Sequence, residues 1–271
     1  MTPRIAASEV GDREYLLSDH IEGFSEYQQG SLSHIKQVQL DLLRLHPGLR
    51  LLDVGFGRGE FLRRCAERGA MITGIDSSEA ALEIGRATLR DWPEADLRRA
   101  DCRQLPFDSN AFDCVYSGDV IEHQSLMDGV TMLREMHRVL CPGGLLLLHT
   151  SPNAIFTSFV YPLARPLLLW ISGAEATQVL EEHLAVNRRV HVHEYDRLSL
   201  RKAARLAGLS NAEVWIGADI LRSFQHRHTR QLSSSRLARA AARMGRFALV
   251  RFFLGNDLFL RAVKPDAASR P

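Results

Sequence analysis

The chain has 271 residues, 45% of them hydrophobic and 24% charged, which supplies a real core and excludes a disordered, collagenous or coiled-coil protein. A formal net charge of +2 is too mild to point to a nucleic-acid binder. The four cysteines (Cys65, Cys102, Cys114, Cys141) form no CxxC pair and read as reduced thiols, so a cytoplasmic protein is expected. The stretch MTPRIAASEVGDREY carries charges throughout and has no apolar signal-peptide region. The most apolar run, Ile155 to Ala174, is broken by Pro162, Arg165 and Pro166 and does not read as a membrane span.

Residues 1–48 read as a helical lead-in, or lid: Leu32, Ile35, Leu42 and Leu45 recur at roughly helical spacing until Pro47-Gly48. A core with the rhythm of a parallel sheet occupies 49–151. Leu51–Val54 is a buried strand; the glycine turn Gly55 to Gly59 opens a helix through Arg68; Met71–Ile75 is a second strand closed by Asp76. Ser78 starts a helix to about Asp91. Strands follow at Leu97–Ala100 and Phe112–Tyr116, then a helix over Met127–Leu140, a turn at Cys141-Pro142-Gly143-Gly144, and a strand over Leu145–His149 whose unbroken apolar run suits burial on both faces. Residues 152–194 are a cap insert, for which Pro162 and Pro166 predict a bent path. The core resumes at 195–216 with a helix to Ala207 and a strand over Ala212–Ile216. A basic helical insert spans 217–256, and 257–271 hold the last strand, Leu258–Val263, and a tail. The alternation predicts an α/β fold with a Rossmann-like doubly wound sheet.

Glycines between a strand and a helix let the backbone turn sharply and let a ligand approach main-chain N–H groups. A dinucleotide site of the G-x-G-x-x-G type would need a third glycine at position 60, where Glu60 stands and would repel a pyrophosphate. Asp53 before the turn, and Asp76 at the end of the second strand, suit a cationic nucleoside without phosphates. Asp76 can accept from both ribose hydroxyls, while Asp101 and the Cys102 backbone can meet an adenine ring.

The runs LLDVGFGRGEFL, GID at 74–76, AD at 100–101, LPFDSNAFDCVYSGDVIEH and EMHRVLCPGGLLLLHTSPN resemble class I S-adenosylmethionine-dependent methyltransferases. Within them they are similar to the small-molecule subgroup typified by ubiquinone-biosynthesis O-methyltransferases. The resemblance covers roughly 30–153 and resumes near 193–216 and 257–264. It implies a seven-stranded sheet with an antiparallel last strand, S-adenosyl-L-methionine as cofactor, and a small or lipid-like acceptor methylated at oxygen. It also implies site roles: Asp53, Gly55 and Gly57 at the methionine side, Phe56 packed on the cofactor, Asp76 and Ser77 at the ribose, Asp101 and Cys102 at the adenine, and Ser117 and Gly118 at the methionine end. C- or N-methylation is the nearest alternative. An NAD(P)-dependent oxidoreductase and a non-catalytic binder of the same cofactor are the alternatives from other classes.

If DVIEH is helical, Asp119, Glu122 and His123 share one face at i, i+3 and i+4. There the Glu122-His123 pair only shapes the cofactor pocket, with no metal, or His123 acts as a general base. Related enzymes imply a third reading, a divalent metal held by Asp119, Glu122, His123 and His191. The apolar first half of the cap insert is core packing or the wall of an apolar pocket. From Ile220 to Asn256 the chain has no Asp or Glu, while Arg222, Arg227, Arg230, Arg236, Arg239, Arg243, Arg246 and Arg251 fall inside. Such a stretch is a solvated charged face, or a contact to an anionic membrane surface or a carrier protein. With few interleaved aromatics it offers no stacking platform for nucleic acid.

Overall fold

A computed structural model describes residues 13–18, 21, 23–217 and 255–266. The arginine-rich stretch 222–251 lies outside them. Short helices α1 (Arg13–Leu16), α2 (Phe24–Gln28) and α3 (His34–Leu42) precede the sheet. The core then runs β1 (Arg50–Val54), α4 (Glu60–Ala66), β2 (Met71–Asp76), α5 (Glu79–Thr88), β3 (Asp96–Arg99), β4 (Phe112–Gly118), α6 (Leu126–Val139) and β5 (Leu140–Thr150). After a helical insertion come α8 (Arg197–Leu206), β6 (Glu213–Ile216) and β7 (Leu258–Val263).

The strands form one seven-stranded sheet in the order β3-β2-β1-β4-β5-β7-β6. Pairing is parallel except along β7, which runs antiparallel to both β5 and β6. The strand order reverses between β1 and β4, so their C-terminal ends open the crevice where such sheets bind ligands.

Alternation along each strand divides the core into two layers. Leu52, Val54, Val115, Leu146 and Leu148 pack with Met132 and Met136 of α6 and Leu200 of α8. Leu51, Ile72, Cys114, Tyr116 and Leu147 pack with Phe61 and Leu62 of α4 and Leu82 of α5. Serine N-caps start two of the helices: Ser78, where the sequence places it, accepts from the Ala81 N–H, and Ser125 accepts from the Asp128 N–H.

The expected turn at Cys141–Gly144 lies within the span of β5, as a bulge in which Gly143 takes φ +74° and the register against β4 shifts. The bulge is held by the chain just after β7, where the Gly143 N–H donates to Lys264 O and the Lys264 N–H to Gly144 O. One expectation changes. The bent path through the cap is instead the 30-residue helix α7 (Tyr161–Val190), with Pro166 inside it. A π-helical stretch, Phe156–Val160, leads directly into α7. A wider turn there absorbs the N–H that Pro162 lacks. Among the described residues no helix is long and apolar enough to cross a membrane.

The Lys264 ammonium donates to the carbonyls of His137, Arg138 and Leu140 and to Asn110 Oδ1. These are the orphan carbonyls at the C-terminus of α6, where a cation also suits the helix dipole. Lys264→Met is therefore expected to cost about 3 kcal/mol of stability, read by urea denaturation.

Candidate active site

The glycine turn sits between the ends of β1 and β2. Gly55 has φ +87°, and a Cβ there would lie 2.2 Å from Val120 Cγ2, so no side chain fits. Gly57 has φ +55° and faces open space, with nothing within 4 Å of an added Cβ. Its N–H donates to Asp76 Oδ2 at 3.0 Å, while Asp76 Oδ1 accepts from the Ser78 N–H at 2.9 Å. Burial raises the Asp76 pKa against these backbone hydrogen bonds.

Asp53 is buried beneath the turn, and its Oδ1 finds no hydrogen-bond partner among the described residues. Burial pushes its pKa well above the usual carboxylate range, the Lys36 ammonium opposes this, and Glu60 and Asp76 add to it. Lys36, on α3, is joined to Glu60 at 2.5 Å, so the N-terminal helices reach into the same crevice. Tyr15 of α1 comes there too: burial first, then the charges of Glu122 and Asp119, hold its phenol up at about 12.

The DVIEH segment is not a helix. Asp119 stands in the left-handed region at φ +56°, and only Ile121–His123 form a turn of 3-10 helix. Three side chains that share a face in an α-helix are therefore separated. Asp119 turns toward β5, with Oδ1 3.1 Å from His149 Nδ1 and accepting from Ser151 Oγ at 3.2 Å. Burial raises its pKa, but His149, Lys36 and Ser151 outweigh this and leave it lowered. Glu122 is buried and accepts from Thr150 Oγ1 at 2.7 Å. Desolvation and the Asp119 charge push its pKa well up.

His123 and His191 meet edge to face, 5.1 Å between ring centroids. They are brought together because Glu122 O accepts from the N–H groups of Val192 and His193, which pins the segment after α7 onto the turn. His123 Nδ1 lies 3.1 Å from Val190 O, so this nitrogen carries the hydrogen and Nε2 carries the lone pair. Burial and the neighbouring His191 lower the His123 pKa to about 4. That keeps the ring neutral at pH 7 but makes it a weak base, well below the optimum for proton abstraction near neutrality. Glu122, His123 and His191 each offer a ligand atom within 4.8 Å of the others. Asp119, the fourth residue of the expected metal set, is not in this cluster.

Residues 52–148 match the model of a methyltransferase domain. Over these residues the chain is similar to a methyltransferase domain. The chain is 31% identical to a demethylmenaquinone methyltransferase of Staphylococcus epidermidis, over 53% of this chain and 61% of that one. It is 33% identical to the demethylmenaquinone methyltransferase of Staphylococcus aureus, over 47% of this chain and 57% of that one. It thus spans about three fifths of the length of these curated relatives. Among solved structures, Haemonchus contortus phosphoethanolamine N-methyltransferase 2 in complex with S-adenosyl-L-methionine aligns with a TM-score of 0.62. Identity is 19%, over 97% of this chain and 60% of that one. The Haloferax volcanii complex of a methyltransferase with its Trm112 activator aligns at 0.59 and 20% identity, over 98% and 100%. The cyclase SpnF aligns at 0.53 and 20%, over 85% and 80%, so the fold extends beyond methyltransferases.

Within residues 52–148, Asp53, Gly55, Gly57, Asp76 and Gly118 gather at the crevice between β1 and β4. Two expected cofactor contacts point elsewhere. The Phe56 ring is buried in the core, where it closes on Gly74 and Gly85, and its N–H is bonded to Ile75 O. The two glycines leave the space that this large side chain fills. Ser117 is fully buried, and its hydroxyl donates to Val54 O at 2.7 Å, pinning β4 to β1 rather than lining the crevice.

Asp101 is exposed and clamped by Arg103, whose Nη2 is 2.6 Å from Oδ2. Cys102 beside it is partly buried, and Ser77 is exposed on the rim. Lys36, Tyr15, His149 and Thr150 were not foreseen as site residues. His149 alone left a sequence signal, a lone imidazole in the apolar run LLLLHT.

Proposed function

We propose that this chain is an S-adenosylmethionine-dependent methyltransferase acting on a small or lipid-like acceptor, with oxygen as the accepting atom. The observation that carries the cofactor is the pairing of open backbone at Gly57 with acidic groups on either side. Asp76 keeps lone pairs beyond those used by Gly57 and Ser78, and these suit a ribose diol. The buried Asp53 oxygen without a partner suits an ammonium group. Gly55, Gly57 and Gly118 complete the methionine side; Ser77 lies at the ribose, and Asp101 with the Cys102 backbone at the adenine edge. The cofactor supplies an electrophilic methyl on a sulfonium. The chain's own residues bind and orient the two reactants in line and exclude water, the main levers for a displacement of this kind. The demethylmenaquinone methyltransferases support a quinone-like acceptor, and similarity to the domain family supports methyl transfer over hydride transfer.

A second reading concerns a divalent metal at Glu122, His123 and His191, favoured by the convergence of their ligand atoms. These two imidazoles and one carboxylate suit a first-row transition metal better than Mg²⁺. Glu122 and His123 would then orient an acceptor hydroxyl near the methyl donor, and His123 serves as proton acceptor if the ion is absent.

One titration tests both. S-adenosylhomocysteine is expected to bind in the micromolar range by calorimetry while NADH does not; an NADH signal without thioether binding would overturn the cofactor. Metal-stripped protein is expected to take up one equivalent of Mn²⁺ or Zn²⁺, and His191→Ala to abolish the uptake. Stoichiometry unchanged in that variant removes the metal.

A further inference from the structure

His149 closes the run Leu145-Leu146-Leu147-Leu148 on β5 and is 0% exposed. Each of its ring nitrogens faces a carboxylate: Nδ1 lies 3.1 Å from Asp119 Oδ1, and Nε2 lies 3.1 Å from Asp257 Oδ1. The Phe259 ring meets the imidazole edge on, 5.0 Å between centroids. Asp257 is 1% exposed, whereas Asp119 is 33% exposed, so the chain of three polar groups is sealed at one end and opens at the other. Burying His149 and Asp257 at the end of an apolar strand run carries a large desolvation cost that leucine at position 149 would avoid. An arrangement so costly to build has its use at its open end.

That open end is held tightly. The Asp119 N–H donates to His149 O at 3.1 Å, the residue sits at φ +56°, and Ser151 Oγ donates to its Oδ1. A non-glycine residue with positive φ is strained and persists only where its surroundings fix it. The next residue, Val120, packs directly on the Gly55 backbone, which sets Asp119 beside the glycine turn. The groups acting on Asp119 there are the His149 imidazole and the Lys36 ammonium, and Asp119 in turn acts on Glu122 and Tyr15.

We propose that His149, braced by Asp257, is a positioning residue that holds Asp119 as the carboxylate facing the positive sulfur of the methyl donor. The inference rests on the cofactor reading above and adds a role to it. A fixed carboxylate at that place distinguishes a sulfonium from a neutral thioether of the same shape, because charge is the chief difference between the two ligands.

The test is the ratio of S-adenosylmethionine to S-adenosylhomocysteine affinity, measured by calorimetry on the full chain. Asp119→Asn is expected to lower the ratio about tenfold, the scale of one charge-assisted contact. His149→Gln and Asp257→Asn are expected to lower it to a similar degree, with thioether affinity changed by less than about threefold. The double variant His149→Gln/Asp119→Asn is expected to fall no further than Asp119→Asn alone, because the histidine acts through the aspartate. Should His149→Gln fail to fold by circular dichroism, Asp257→Asn decides. A ratio unmoved by the available single variants, or additive losses in the double, overturns the positioning role while leaving the cofactor in place. Failure of the parent protein to bind either ligand overturns the cofactor reading and this role together.

Discussion

Asp76→Ala is expected to weaken S-adenosylhomocysteine binding about 100- to 1000-fold. The carboxylate ends β2 and already accepts from the Gly57 and Ser78 N–H groups, one on each oxygen. Each oxygen keeps one further lone pair, and the two together match the adjacent hydroxyls of a ribose. Hydrogen bonds to a charged acceptor contribute about 1.5–3 kcal/mol each, so losing two near the lower end of that range, about 3–4 kcal/mol together, accounts for the expected loss. The alanine also releases the Gly57 N–H, which loosens the backbone that the ligand approaches. Asp76→Asn keeps the shape and one acceptor oxygen, and an intermediate loss of about tenfold is expected from the same arithmetic. Calorimetry reads both. A loss smaller than threefold for alanine would remove Asp76 from the ribose site.

The parts legible in the sequence are those whose signals are local. Strand runs such as Leu51–Val54, the cap Ser78, and the glycine turn each announce themselves within a few residues, and the structure places them accordingly. What the sequence concealed depends on contacts between distant residues. His149 and Asp257 are 108 positions apart, and nothing near either one predicts that they meet. The spacing of Asp119, Glu122 and His123 suits a helix face, yet the contact to His149 draws Asp119 into the left-handed region and ends that pattern. Pro142-Gly143-Gly144 has the chemistry of a turn, and the structure absorbs it as a bulge within β5, with Gly143 at φ +74°. Phe56 sits in the glycine turn, next to where a ligand would lie, and only the absent side chains of Gly74 and Gly85 reveal that its ring faces inward.

Glu60, read from the sequence as the residue that excludes a pyrophosphate, has a second consequence. It is 3% exposed, and its Oε1 accepts from Arg58 Nη2 at 2.9 Å, Arg58 Nε at 3.2 Å and Lys36 Nζ at 2.5 Å. Arg58 is 2% exposed, with its guanidinium 5.1 Å from the Tyr27 ring and 5.9 Å from that of Phe24, and Nη1 donates to Leu16 O. This network ties the N-terminal helices to the glycine turn. Burial alone would raise the Glu60 pKa, but Lys36 and Arg58 outweigh it and lower the value from 4.5 to about 2. A carboxylate depressed in the folded state contributes stability that is fully present above its unfolded pKa and is lost as pH falls toward the folded one. The contribution is about 3 kcal/mol at pH 7. Asp53, Asp76 and Glu122 have raised values and respond with the opposite sign, favouring the folded state as acid is added. The difference between the parent and Glu60→Gln in urea unfolding therefore cancels Asp76 and Glu122 and leaves Glu60 together with the part of the Asp53 shift that the Glu60 charge causes. That difference is expected to stay constant from about pH 8 to pH 5 and to shrink steadily below about pH 4.5. Glu60→Ala at pH 7 is expected to cost about 3–5 kcal/mol, because the guanidinium of Arg58 stays buried without its carboxylate. A difference between parent and glutamine variant that stays flat down to pH 3 would show that the network holds its geometry without holding the charge.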